Sequence, residues 1–170
     1  MSLSITVRPA TPADLPALQE LHAALCAAER ASGYDDSADA TFAASPSGRS
    51  YLVARINGDG LALVAHDGTV PAGYLVAGVR SGPRGAASGL ESMFVTPAFR
   101  RRGIGTALLE RFIAWHRSSG LASASLAVSP GNHAAIALYE RAGFRGATLV
   151  MELASETRTH DSNVRRHRRT

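Results

Sequence analysis

Arg100, Arg101 and Arg102 stand immediately before Gly103-Ile104-Gly105-Thr106, just after an apolar run that ends at Phe94-Val95 and turns through Pro97. Arginine presents a fork of donors that suits phosphate or carboxylate oxygens. Glycine lets backbone approach a ligand closely, and the first N–H groups of a helix have no partner within it. The positive end of the helix dipole lies behind those N–H groups. Binding of an anionic phosphate is the chemistry this combination suits. It is not a GxxxxGKS/T loop, because the chain has no lysine, nor a GxGxxG dinucleotide fingerprint, because the third glycine is missing. Taken alone, the segment also suits a plain tight turn with solvated arginines.

The elements around it follow from periodicity. Residues 5–8 predict a short strand. Thr11 caps a helix with Pro12 at its first position, and Leu15, Leu18, Leu21 and Leu25 recur at helical spacing to about Arg30. Residues 33–47 predict a loop with a short helix. Residues 49–56 suit strand or helix, and Ser45-Pro46 before them tips the reading to helix. Residues 61–66 and 72–80 predict a hairpin joined through Asp67-Gly68. After a turn at 84–88, residues 89–95 form the strand that leads into the arginines. Residues 104–119 predict a strong amphipathic helix, with Ile104, Leu108, Phe112 and Trp115 on one face. A strand at 121–128, a helix at 133–142 opened by Asn132, and a last strand at 148–153 complete the order. The fold class is α/β: a mixed, mostly antiparallel sheet with helices on both faces. Residues 89–128 make a strand–helix–strand unit whose two strands run parallel.

Composition sets bounds. A chain of 170 residues with 45% hydrophobic content suits one domain with its own core. We expect residues 1–154 to form it and residues 155–170 to be an Arg-rich disordered tail. All 18 basic residues are arginine, and five of them fall in that tail against Glu156 and Asp161. The formal charge of +4 thus leaves only +1 on the body, which argues against a nucleic-acid surface on the folded domain. No run reaches the ~20 apolar residues of a membrane span, and the N-terminus lacks a signal-like pattern. Cys26 is the only cysteine, so no internal disulfide forms, and no ligand cluster points to a metal. A cytoplasmic protein is the expectation.

A second motif fixes the reading of the first. Arg100-x-x-Gly103-x-Gly105, with Asn132-x-x-Ala135-x-x-Leu138-Tyr139-Glu140-x-x-Gly143-Phe144 one strand and one helix later, resembles the signature of the GNAT superfamily of N-acetyltransferases. The likeness is clear over residues 72–153, consistent in element order over 3–71, and does not cover the tail. It implies acetyl-CoA as co-substrate, with no metal. It implies backbone contacts from Met93 and Val95 to the pantetheine arm. Arg101, Arg102, Gly103, Ile104, Gly105 and Thr106 would surround the pyrophosphate. Phe94, Arg100, Ala135 and Tyr139 join the cofactor-binding set, and Asn132 would bond pantetheine or cap its helix. A strand in this family splays from its parallel neighbour to receive the arm.

Acetyl transfer needs a deprotonated amine, donors for an oxyanion and a proton for the leaving thiolate. The resemblance puts Tyr139 at the general acid, and a phenol of pKa near ~10 stays protonated to serve. Glu91 lies on the face of Met93 and Val95 by simple alternation, and is the candidate base, directly or through water. His22, His66 and His116 compete for that role. A backbone N–H near Val95 would meet the oxyanion. The acceptor is a primary amine of unassigned identity, on a small molecule or a peptide. Its walls would come from the first helices with residues 33–47 and from 145–148, where Asp35, Asp36 and Asp39 could steer a cation. Dimers occur in the superfamily, which leaves a homodimer open. The rival readings are a non-catalytic acyl-CoA sensor and an arginine-driven nucleic-acid binder.

Overall fold

A computed structural model describes residues 5–34, 39–82 and 85–151. Strand β1 (Ile5–Pro9) passes through a single 3-10 turn at Pro12–Asp14 into helix α1 (Leu15–Ala31). Asp14 holds that corner. Its carboxylate accepts from the Thr11 backbone N–H at 2.7 Å, from the Thr11 hydroxyl at 2.8 Å, and from both arms of Arg8 at 2.7 and 2.8 Å. The Arg8 guanidinium keeps the Asp14 carboxyl well below the usual carboxylate range despite its burial. Helix α2 (Pro46–Ile56) starts where Ser45 accepts the Gly48 N–H at 3.1 Å, so the ambiguous YLVARI run is helical because its N-terminus is capped.

Strands β2 (Gly60–Asp67), β3 (Val70–Gly82) and β4 (Gly85–Val95) form an antiparallel meander. Helix α3 (Ile104–Ser118) crosses to β5 (Ala124–Leu126), and α4 (His133–Arg141) follows. The sheet order is β1-β2-β3-β4-β5, with the β4–β5 pair parallel. Leu18, Leu52, Tyr74 and Val76 build a core with α1 and α2 on one face. Leu63, Leu75, Leu108 and Phe112 build a second core with α3 on the other. The predicted mixed sheet with helices on both faces is therefore present.

Three local expectations change. The turn placed at 84–88 gives way to strand over 85–88, because the β3–β4 ladder continues to Gly82↔Gly85, and Arg84 lies outside the described residues. Strand β5 shrinks to three residues, all matched to Ser88, Gly89 and Leu90. The last strand is not formed over 148–151, where Leu149, Val150 and Met151 are exposed and find no ladder to join; its remainder, and the tail, lie outside the described residues.

The fourth change concerns Glu91. Leu90 opposes Ala77 and Ser92 opposes Val76, so Glu91 is an extra residue, a β-bulge. The bulge reverses alternation on its N-terminal side. Glu91 therefore does not share a face with Met93 and Val95; it turns toward α2. There its carboxylate accepts from the Tyr51 hydroxyl at 2.5 Å and from Arg55 Nε and Nη2 at 3.0 and 3.1 Å. Both side chains of this ion pair are more than four-fifths buried. Removing Glu91 strands a guanidinium and a phenol, so Glu91→Ala should cost about 2–3 kcal/mol of unfolding free energy. Asp14→Ala should cost about 1–2 kcal/mol by loss of the cap and its ion pair. Denaturant unfolding checks both. Variants as stable as the parent would contradict these roles.

Candidate functional site

The start of α3 differs from those of α2 and α4. Ser45 and Asn132 cap their helices through side chains, whereas the α3 N-cap is Gly103, which has no side chain to offer. Gly103 takes φ +81°, a left-handed conformation that suits glycine. Arg101 also takes a positive φ, +63°, which is uncommon for a residue with a Cβ. These two reversals coil the chain so that it enters the helix with its first N–H groups unclaimed by a cap. Gly105 faces α4, where an added Cβ would sit 3.2 Å from Leu138 Cδ2. One glycine thus shapes the turn and the other brings two helices close.

The three arginines divide their work. Arg100 Nε donates to the Val95 carbonyl at 3.1 Å, and its guanidinium lies 5.7 Å from the centre of the Phe94 ring. Arg102 meets Asp67 at 3.4 Å and stacks over Phe99 at 5.3 Å. Arg101 makes no such contact among the described residues and is exposed. Two guanidiniums therefore brace the loop and leave the third open to an anion.

Strand β4 leads straight into this loop. Its pairing with β5 stops at Leu90↔Leu126, yet β4 runs on to Val95. From Glu91 to Val95 the edge of β4 that faced β5 has no strand partner among the described residues. Exposed backbone donors and acceptors of this kind receive an added extended chain. Where the ladder ends, on the side toward which Glu91 turns, a separate cleft of about 230 Å³ is lined by Arg80, Leu90, Glu91, Ser125, Leu126 and Ala127.

Tyr139 stands in the core cluster that also holds Leu90, Met93, Val95, Leu126 and Ala135. It packs edge-on to Phe144 with ring centres 6.1 Å apart. Burial pushes its phenol up to about 12, so the group remains a proton donor at neutral pH. Asn132 Oδ1 accepts the Ala135 N–H at 3.2 Å, which is the capping half of its expected role.

Burial alone would raise the Glu91 carboxyl, but donors from Arg55 and Tyr51 outweigh it and hold the group below its ordinary value. It is a fixed, charged acceptor. His22 is engaged on both ring nitrogens, with the Tyr74 hydroxyl at 2.9 Å and Cys26 Sγ at 3.5 Å, and burial lowers its pKa. His116 is bonded to Ser88 at 3.0 Å under the opposite face. Asp39 accepts the Thr41 N–H and hydroxyl within its own turn, while Asp35 and Asp36 lie outside the described residues. Tyr51, Arg55 and Arg80 are the site-lining residues that sequence reading missed. Only the strand bulge and the packing of α2 bring them to Glu91, across gaps of 36 and 40 positions for Arg55 and Tyr51.

Among the described residues no group of three or more His, Cys, Asp or Glu could hold a metal, and no helix is long and apolar enough to cross a membrane. The chain is similar to the ribosomal protein bS18-alanine N-acetyltransferase of Salmonella typhimurium, 37% identical over 75 residues, or 44% of this chain and 51% of that relative. The Escherichia coli enzyme of the same name is 45% identical over 60 residues, 35% of this chain and 40% of the relative. The matched portion thus spans about half or less of these curated relatives. Among solved structures, an aminoglycoside N-acetyltransferase, AAC(6')-Iy, in complex with CoA superposes with a TM-score of 0.70 at 18% identity, covering 92% of this chain and 98% of its own. A GCN5-related N-acetyltransferase from Ralstonia eutropha gives a TM-score of 0.70 at 24% identity, over 89% of this chain and 99% of its own. At these identities the likeness is one of fold. The family model for GNAT acetyltransferases matches residues 18–144, three quarters of the sequence, and the chain belongs to that family.

Proposed function

We propose that this protein transfers an acetyl group from acetyl-CoA to a primary amine. The observation that carries this reading is the continuity of two open donor surfaces. The edge of β4 from Glu91 to Val95 that has no strand partner among the described residues leads through residues 96–102 to the uncapped start of α3. A ligand with an extended amide-bearing arm and a pyrophosphate at its end matches both at once, which a free phosphate does not. Met93 and Val95 would pair with the arm. The N–H groups of Gly103 to Thr106, with Arg101 beside them, would hold the pyrophosphate.

Acetyl-CoA supplies an acyl group already activated as a thioester. The remaining work falls to the chain. Tyr139, kept protonated by burial, donates its proton to the departing sulfur. Glu91 cannot hold a proton taken from an ammonium of pKa about 10, because its own pKa is depressed. It instead accepts a hydrogen bond from the amine or from a water that carries the proton to solvent. A backbone N–H near Val95 faces the developing oxyanion. The curated relatives act on a ribosomal-protein alanine and the CoA-bound neighbour on aminoglycosides, so an amine is the shared acceptor chemistry.

Titration calorimetry with acetyl-CoA should give saturable binding. Gly103→Val forces a β-branched residue into a left-handed position and should weaken it by about tenfold or more; unchanged affinity would remove α3 as the pyrophosphate site. Tyr139→Phe should lower kcat by about 100-fold with acetyl-CoA affinity retained. Full turnover in that variant would remove Tyr139 as the acid.

A further inference from the structure

The face of the sheet under α2 carries a row of small residues across four strands. Gly60 pairs with Gly78, Gly78 with Gly89, and Gly89 with Ser125. The bare row is filled by two guanidiniums. A Cβ on Gly78 would lie 2.6 Å from Arg55 Nη2 and 2.7 Å from Glu91 Oε1. A Cβ on Gly89 would lie 2.9 Å from Arg80 Nε and 3.1 Å from Arg80 Cζ. Arg55 and Arg80 therefore occupy the space that side chains at Gly78 and Gly89 would fill, and the glycines are what make that possible.

Their occupations differ. Arg55 is the buried partner that answers the Glu91 charge, with help from Tyr51. Arg80 stands 3.8 Å from Glu91 Oε1, beyond hydrogen-bond reach, and its side chain is 62% exposed. It lines the cleft at the β4–β5 gap. Arg55 and Arg80 together outnumber the one Glu91 carboxylate, so the group is net positive, and Arg80 makes no hydrogen bond among the described residues at the mouth of that cleft. Such a group suits a planar carboxylate and repels a polycation.

We infer that the acceptor is an amine carrying a carboxylate close to its reactive nitrogen, as in an amino acid or an acidic amino compound, and that Arg80 binds that carboxylate. This rests on the acetyl-transfer reading above and narrows it. The Gly89 gap sets where the guanidinium lies, so Arg80 acts as a specificity residue at a fixed place.

The test takes wild-type protein, Arg80→Ala, Arg80→Lys and Gly89→Ala. Each is given acetyl-CoA with L-phenylalanine, L-glutamate, L-phenylalaninamide, spermidine and neamine. Thioester consumption and thermal stabilisation of the CoA-loaded protein are both recorded, with acetyl-CoA affinity measured separately. A preference of about tenfold or more for a carboxylate-bearing amine over phenylalaninamide, spermidine and neamine is expected in at least one measure. Arg80→Ala should abolish it through KM, Arg80→Lys should keep part of it, and Gly89→Ala should weaken it by displacing the guanidinium. Acetyl-CoA affinity should not move in any of them. No preference for the acids in either measure, a preference for spermidine or neamine, or a loss of acetyl-CoA affinity in Arg80→Ala would overturn the inference while leaving acetyl transfer intact. Absence of acetyl-CoA binding by the wild-type protein would overturn both.

Discussion

The parting of β4 from β5 is the constraint on which the site depends. A parallel ladder normally continues until a strand ends, since backbone groups left unpaired away from water are costly. Here it stops after Leu90↔Leu126, while β4 extends five residues further. The extension is held from its other side, where Gly73, Tyr74, Leu75 and Val76 of β3 match Val95, Phe94, Met93 and Ser92. One edge is thus secured and the other left available. The same strand then delivers the chain to Gly103, where a second set of donors is left open because glycine cannot cap.

The bulge at Glu91 sits at the point of parting, and its position has two consequences. It returns Met93 and Val95 to the core face shared with Tyr139, and it sends the Glu91 carboxylate to the face of α2. Under the proposed reading, donor and acceptor are handled on the two sides of one strand. Tyr51 and Arg55 fix the carboxylate in a charged state. A group held in this way orients a cation or a water well and accepts a proton poorly. Bulges next to active sites commonly re-aim a side chain in this manner.

The legible parts of the sequence were those governed by local rules. The arginine–glycine run, the Asn132 cap and the helix at 104–118 follow from capping chemistry and from a 3.6-residue period, both of which act within a few residues. Tyr139 was marked only by its motif, and Phe144, five positions on in that motif, packs edge-on against it. Glu91 was misplaced because strict alternation is a rule for an unbroken strand, and the bulge depends on register against β3. Arg80 and Arg55 were silent because only cross-strand pairing puts Gly78 and Gly89 in one row. The strand expected at 148–153 was read from its apolar run alone, and over 148–151 that run meets no partner edge.

Backbone hydrogen exchange with and without acetyl-CoA tests the central claim most directly, namely that the open edge of β4 and the open start of α3 receive one ligand. Saturating acetyl-CoA should slow exchange together at amides within Glu91–Val95 and within Gly103–Thr106, with little change in β1 or β2. Protection confined to Gly103–Thr106 would mean a phosphate site without an arm. Protection at neither segment would contradict the assignment altogether.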